Sequence, residues 1–128
     1  MEPCETTVVV LDDEAVVGEL IAAGLKTRGY PVLVASRCAD AEQLIRDHNG
    51  RPALLITDII MPDMTGPELV HWLRDQGFRF PVLYISGYAE ADPTKVHGAC
   101  EQRHFLMKPF SAPELLQAVE DTLKTGAP

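Results

Sequence analysis

No apolar run in this 128-residue sequence approaches the ~18–20 residues that a helix needs to cross a bilayer. The opening MEPCETT carries no basic stretch ahead of an apolar one, so it does not read as a secretory signal. A cytoplasmic location without membrane contact is the resulting expectation. Basic residues are scarce: 11 Lys and Arg stand against 19 Asp and Glu, for a net charge of −8 and a pI near 4.8. A nucleic-acid binder needs clustered cations to neutralise phosphates, and none are clustered here, which excludes direct DNA binding. Cysteine is sparse as well. Cys4, Cys38 and Cys100 form no CxxC pair and are odd in number, which points to reduced thiols rather than a disulfide framework. The four histidines, His48, His71, His97 and His104, show neither HExxH nor Cys/His spacing, so a zinc site is not expected.

What is present is an alternation of short β-rich runs and longer segments of helical period. TTVVVL (Thr6–Leu11) reads as a buried strand. Over Glu14–Arg28, Val17, Leu20, Ile21, Gly24 and Leu25 share one helical face, and Gly29 is a natural stop. YPVLVAS is a second, proline-led strand. Ala41, Leu44, Ile45 and His48 line a second helix that Asn49-Gly50 ends. ALLIT is a third strand, and Gly66–Asp75 a helix with Leu69, Val70 and Leu73 facing inward. PVLYIS and HFLM are strands four and five, and the segment between them, broken by Pro93 and Gly98, has room only for a short helix near Pro93–Glu101. Ser111 opens the last helix with a capping box, S-A-P-E, and Leu116, Val119 and Leu123 form its expected buried face. Five strands, each followed by a helix over a short connection, predict a parallel sheet covered on both faces. Length and the absence of linkers or repeats predict one domain over 1–128, with a core of about 6–125.

In open α/β sheets ligands sit beyond the carboxyl ends of the strands, so the residues there matter most. Strand one ends in Asp12-Asp13-Glu14, strand three in Asp58, strand four in Ser86, and strand five runs into Lys108. Each has an ordinary explanation taken alone: a helix cap, a turn, a solvated cation. Together they are costly, because two carboxylates ~4 Å apart repel by about 4 kcal/mol at an effective dielectric near 20. One lysine does not offset three carboxylates, and a divalent cation is implied. Oxygen donors without Cys or His suit a hard ion, Mg²⁺ before zinc. An aspartate beside such an ion and a lysine can attack a phosphoryl group and become an acyl phosphate. The cation and lysine then stabilise the transferring oxygens, and the Ser86 hydroxyl can bond one of them. A simple metal-ligand role for Asp58 would leave the serine and lysine unexplained.

VLDDE, LLITDIIMPDMTGPE, VLYISGYA and FLMKPF, in this order and spacing, resemble the receiver domain of two-component response regulators over essentially the whole chain. The resemblance implies a doubly wound (βα)5, flavodoxin-like fold. It implies Asp58 as the phosphoacceptor from a histidine kinase or histidine phosphotransfer domain, and Mg²⁺ (or Mn²⁺) held by Asp12, Asp13, Asp58 and the main-chain carbonyl of Ile60. Lys108 would contact the phosphoryl group. Ser86 and Phe105 would occupy the two switch positions, and the bond before Pro109 would be cis. Phosphorylation would then alter the surface of the segment around Pro93–Glu101, strand five and the last helix, and thereby control a downstream protein. Ile60 and Tyr88 stand two residues past Asp58 and Ser86, at positions that tune water's access to the acyl phosphate, and their bulk predicts slow autodephosphorylation. The implied activity is self-catalysed phosphorylation rather than metabolic turnover.

Two other readings compete. A phosphorylation-independent interaction module of the pseudo-receiver kind would normally show damage among Asp12, Asp13, Asp58, Ser86 and Lys108, and here all five are intact. A haloacid-dehalogenase-type hydrolase would want a D-x-D motif, which DII does not supply. The wording of MPDMTGPEL and YISGYAE is most like receivers of hybrid histidine kinases, with a single-domain response regulator next. A homodimer is compatible with either.

Overall fold

The structure, a computed structural model, describes residues 7–47, 52–59, 65–87 and 105–125. Its elements run β1 (Val8–Leu11), α1 (Ala15–Lys26), β2 (Val32–Ala35), α2 (Cys38–Asp47), β3 (Leu54–Asp58), α3 (Gly66–Asp75), β4 (Val82–Gly87) and β5 (Phe105–Lys108). The last helix, α4, spans Ala112–Thr125. All strand pairs are parallel, in the order β2-β1-β3-β4-β5. The expected helix near Pro93–Glu101 lies outside the described residues.

Parallel strands covered on both faces must be apolar at every position rather than at alternate ones. Accordingly β1 and β3 are buried throughout. Successive side chains still point to opposite faces, which divides the core in two. Val9, Leu11, Leu55, Val82 and Tyr84 pack with Ala41, Ile45, Leu69, Val70 and Leu73 of α2 and α3. Val8, Val10, Leu54, Ile56, Leu83 and Ile85 pack with Ile21, Leu25, Leu115 and Val119 of α1 and α4.

Two helical faces differ from the sequence expectation. In α1 the buried residues are Gly18, Ile21, Ala22 and Leu25, while Leu20 is 67% exposed. The sheet takes the ridge centred on 18, 21, 22 and 25, and Leu20 stands on its flank. In α4 the fully buried residues are Leu115, Val119 and Thr122, with Leu116 and Leu123 only partly covered. Thr122 tolerates burial because its hydroxyl donates to the Ala118 carbonyl at 2.7 Å, within its own helix. The expected end of α1 and start of α4 hold, while His48 and the stop expected at Asn49-Gly50 lie outside the described residues. Gly29 turns the chain after α1 with φ +86°, and the Ser111 box closes through Glu114 N–H to Ser111 Oγ (3.2 Å) and Ser111 N–H to Glu114 Oε1 (2.8 Å).

Candidate phosphoacceptor site

Register places the site. Leu11 pairs with Thr57, so Asp12 and Asp58 leave adjacent strands side by side, at the point where strand order reverses. Asp58 itself pairs with Ile85 of β4, and the Ile59 N–H donates to the Ile85 carbonyl at 2.9 Å. Gly87 pairs with Lys108, which is therefore the last residue of β5 and not a loop residue. On the far side of Asp58, α3 begins with a capping box that the sequence reading passed over. Thr65 Oγ1 accepts from Glu68 N–H at 3.1 Å, and Glu68 Oε1 accepts from Thr65 N–H at 2.9 Å. The signal was present as T-G-P-E, with Pro67 in the first turn.

Asp12 serves two purposes with its two oxygens. Oδ1 accepts the Glu14 N–H at 2.9 Å and caps the turn into α1. Oδ2 is buried, faces Lys108 Nζ at 3.3 Å, and has no aligned hydrogen-bond donor. Lys108 Nζ also lies 3.2 Å from Asp58 Oδ2 and 3.3 Å from Glu14 Oε1. Asp12, Asp13 and Asp58 each bring a carboxylate oxygen within 4.8 Å of the others, Asp13 on the exposed side. Under-coordinated carboxylate oxygen with no nitrogen or sulfur donor in the cluster fits a hard divalent cation of the Mg²⁺ type.

The electrostatics follow from that crowding. Burial first, and then the Asp12 charge, push the Asp58 carboxyl up to about 6, against a partial opposing pull from Lys108. Burial likewise raises Asp12, opposed by the Glu14 amide and Lys108. Burial alone would lower Lys108, but Asp58 and Asp12 outweigh it and its pKa is raised. The lysine is therefore a fixed cation, and the aspartates are carboxylates that gain from any further positive charge.

Of the residues expected at the site, Asp12, Asp13, Asp58 and Lys108 come together. Ser86 stands in β4 one position past the Asp58 partner, with its backbone described and its side chain not. Ile60 and Tyr88 lie outside the described residues. Phe105 is half-buried in β5, its ring 5.6 Å from that of Tyr84 and inclined by 32°. The bond between Lys108 and Pro109 is cis, as the resemblance implies. Among the described residues, Glu14, noted only as the end of an acidic triplet, is the one further acidic residue that the fold brings to the lysine.

A doubly wound parallel α/β domain with an acidic cleft at its switch point is the class that fold and site define. Within it, the sequence profile of the response regulator receiver domain matches residues 8–120. The chain belongs to that family. The sensor kinase CckA of Brucella abortus is 31% identical over 118 residues, 92% of this chain and 12% of the kinase. The phosphate regulon transcriptional regulatory protein PhoB of Pseudomonas aeruginosa is 30% identical over 125 residues, 95% of this chain and 53% of the regulator. Thus the chain spans only part of these curated relatives. Among solved structures, the receiver domain from the hybrid histidine kinase CckA superposes with a TM-score of 0.73 at 33% identity, covering 91% of this chain and 98% of that one.

Proposed function

We propose that this receiver domain is a phosphoacceptor switch that takes a phosphoryl group onto Asp58. The observation that carries the reading is the Asp58 carboxylate, nearly buried at the end of β3 yet open to the cleft, with Lys108 Nζ 3.2 Å from Oδ2. In the step, an ionised Asp58 oxygen attacks the phosphorus of a phosphohistidine; a P–O bond forms, the P–N bond breaks with its electron pair going to the ring nitrogen, and that nitrogen takes a proton from solvent as the neutral imidazole leaves. Lys108 holds a phosphoryl oxygen and so offsets charge that would otherwise build against Asp12 and Asp58. A bound Mg²⁺ on Asp12, Asp13, Asp58 and the Ile60 carbonyl would neutralise the remaining negative charge.

Ser86 follows the phosphoryl group as its hydroxyl acceptor-donor, and Phe105 turns as β5 adjusts. The output is a changed surface over the segment before β5, β5 itself and α4, read by a downstream protein. Ile60 and Tyr88 restrict water and make autodephosphorylation slow. The donor is a histidine kinase or histidine phosphotransfer domain. Beside the site lies an apolar groove of about 400 Å³ between α1 and the start of α4, lined by Val17, Leu20, Pro109, Phe110 and Leu115. Among the described residues no helix is long and apolar enough to cross a membrane, which supports a cytoplasmic domain.

Acetyl phosphate with Mg²⁺ is expected to add one phosphate to the wild-type intact mass and none to Asp58→Ala. A phosphate that persists in Asp58→Ala overturns the assignment of the acceptor. No gain in the wild type favours the phosphorylation-independent interaction module.

A further inference from the structure

Glu14 is not one of the residues to which the phosphoacceptor reading gives a role, yet its carboxylate reaches across the cleft to Lys108. Glu14 Oε1 accepts from Lys108 Nζ at 3.3 Å, while Asp58 Oδ2 accepts from the same nitrogen at 3.2 Å. Asp12 Oδ2 faces it at 3.3 Å. An ammonium carries three N–H groups; Lys108 donates one to Glu14 and one to Asp58, and the buried Asp12 Oδ2 holds the ammonium as an ion pair without an aligned hydrogen bond. The contact spans 94 residues of sequence and is no accident of neighbouring positions. Nor does Glu14 serve its helix. It stands at the N-cap of α1, where its side chain makes no capping bond.

The three carboxylates around the ammonium differ in how firmly they are held. The Asp58 and Asp12 side chains are 10% and 1% exposed and fixed by strand ends, whereas that of Glu14 is 63% exposed. A phosphoryl group arriving on Asp58 brings oxygens that need a Lys108 N–H. The donor released at least cost is the one held by Glu14, whose carboxylate returns to water.

We propose that Glu14 is a positioning residue that holds one N–H of Lys108 away from the phosphoryl pocket and thereby sets the pocket's affinity for a phosphoryl group. This rests on the phosphoacceptor reading of the same cleft. Removing the contact leaves the donor unengaged before the ligand arrives, so the ligand no longer competes for it. Exposed ion pairs contribute little individually, and the expected gain is about two- to fivefold in affinity.

The test is calorimetric titration of the whole chain with beryllofluoride, a phosphoryl mimic, at saturating Mg²⁺ and 0.15 M salt, where charges beyond ~8 Å are largely screened. Wild type, Glu14→Gln and Glu14→Asp are compared. Glutamine removes the charge. Aspartate keeps it but is one methylene too short to reach Lys108. Both variants are expected to bind more tightly than wild type, and in both the Lys108 Nζ resonance of the ligand-free protein shifts in heteronuclear NMR. Tighter binding by Glu14→Gln alone, with Glu14→Asp equal to wild type, overturns the proposal in favour of simple charge repulsion. Equal affinities in all three, or an unmoved Lys108 resonance, also overturn it. Absence of beryllofluoride binding by the wild type overturns the phosphoacceptor reading, and this inference with it.

Discussion

Asp58 sits where a carboxylate is least comfortable, and the discomfort has a measurable sign. Its folded pKa of about 6 stands above the ~3.9 of an unfolded aspartate. Between those values the folded protein binds more protons than the unfolded one, so stability falls as pH rises from about 4 through 6 and then levels. The ionised side chain therefore costs the ligand-free fold roughly 1–3 kcal/mol at pH 7. Asp58→Asn is expected to raise the Tm at pH 7.5 in EDTA and to lose that advantage near pH 4.5. A Tm difference independent of pH would show that the cost is not ionisation of Asp58. The same reasoning predicts that Mg²⁺ raises the wild-type Tm at pH 7.5 by binding only the folded cluster.

At the scale of elements, the site depends on how closely α3 approaches the end of β3. Gly66, the first residue of α3, donates its N–H to the Ile59 carbonyl at 2.7 Å. A Cβ built there would collide with the Asp58 carbonyl oxygen and lie 3.2 Å from the Thr57 side chain. The Asp58 oxygen is backbone and cannot rotate aside, so Gly66→Ala must displace the helix or the strand end. The expected cost is about 1–3 kcal/mol, read as a lower urea midpoint, together with weakened Mg²⁺ binding because Asp58 moves. Unchanged stability would mean that α3 shifts freely. Elsewhere α2 and α3 are tied by Arg46, which pairs with Glu42 at 2.7 Å and lies over the rings of Trp72 and Phe78 at 5.7 and 5.3 Å.

For the molecule as a whole, the central strands serve both halves of the core. Leu55 belongs to the α2/α3 side and Ile56 to the α1/α4 side, and both are fully buried. Truncating either leaves a cavity inside a packed half of the core. Leu55→Ala and Ile56→Ala are each expected to lose about 2–5 kcal/mol in denaturant unfolding. A loss below 1 kcal/mol for one of them would show that its side of the core can collapse.

Much of this was legible in sequence because the signals are local. Five apolar runs of strand length, the helical periods between them, the Ser111 box and the order of Asp12, Asp13, Asp58, Ser86 and Lys108 sufficed for the alternating fold and the candidate site. Strand ends in a parallel sheet lie on one edge, so listing what stands there nominates the cleft without coordinates. Three things were decided only by tertiary structure, each because it depends on long-range geometry. The sheet chose which ridge of α1 and α4 to cover, exposing Leu20 and burying Thr122. Strand register made Lys108 the last residue of β5 and brought Asp12 beside Asp58. Folding also carried Glu14 to Lys108 across 94 residues, a contact no spacing rule contains because it exists only once β1 and β5 share a sheet.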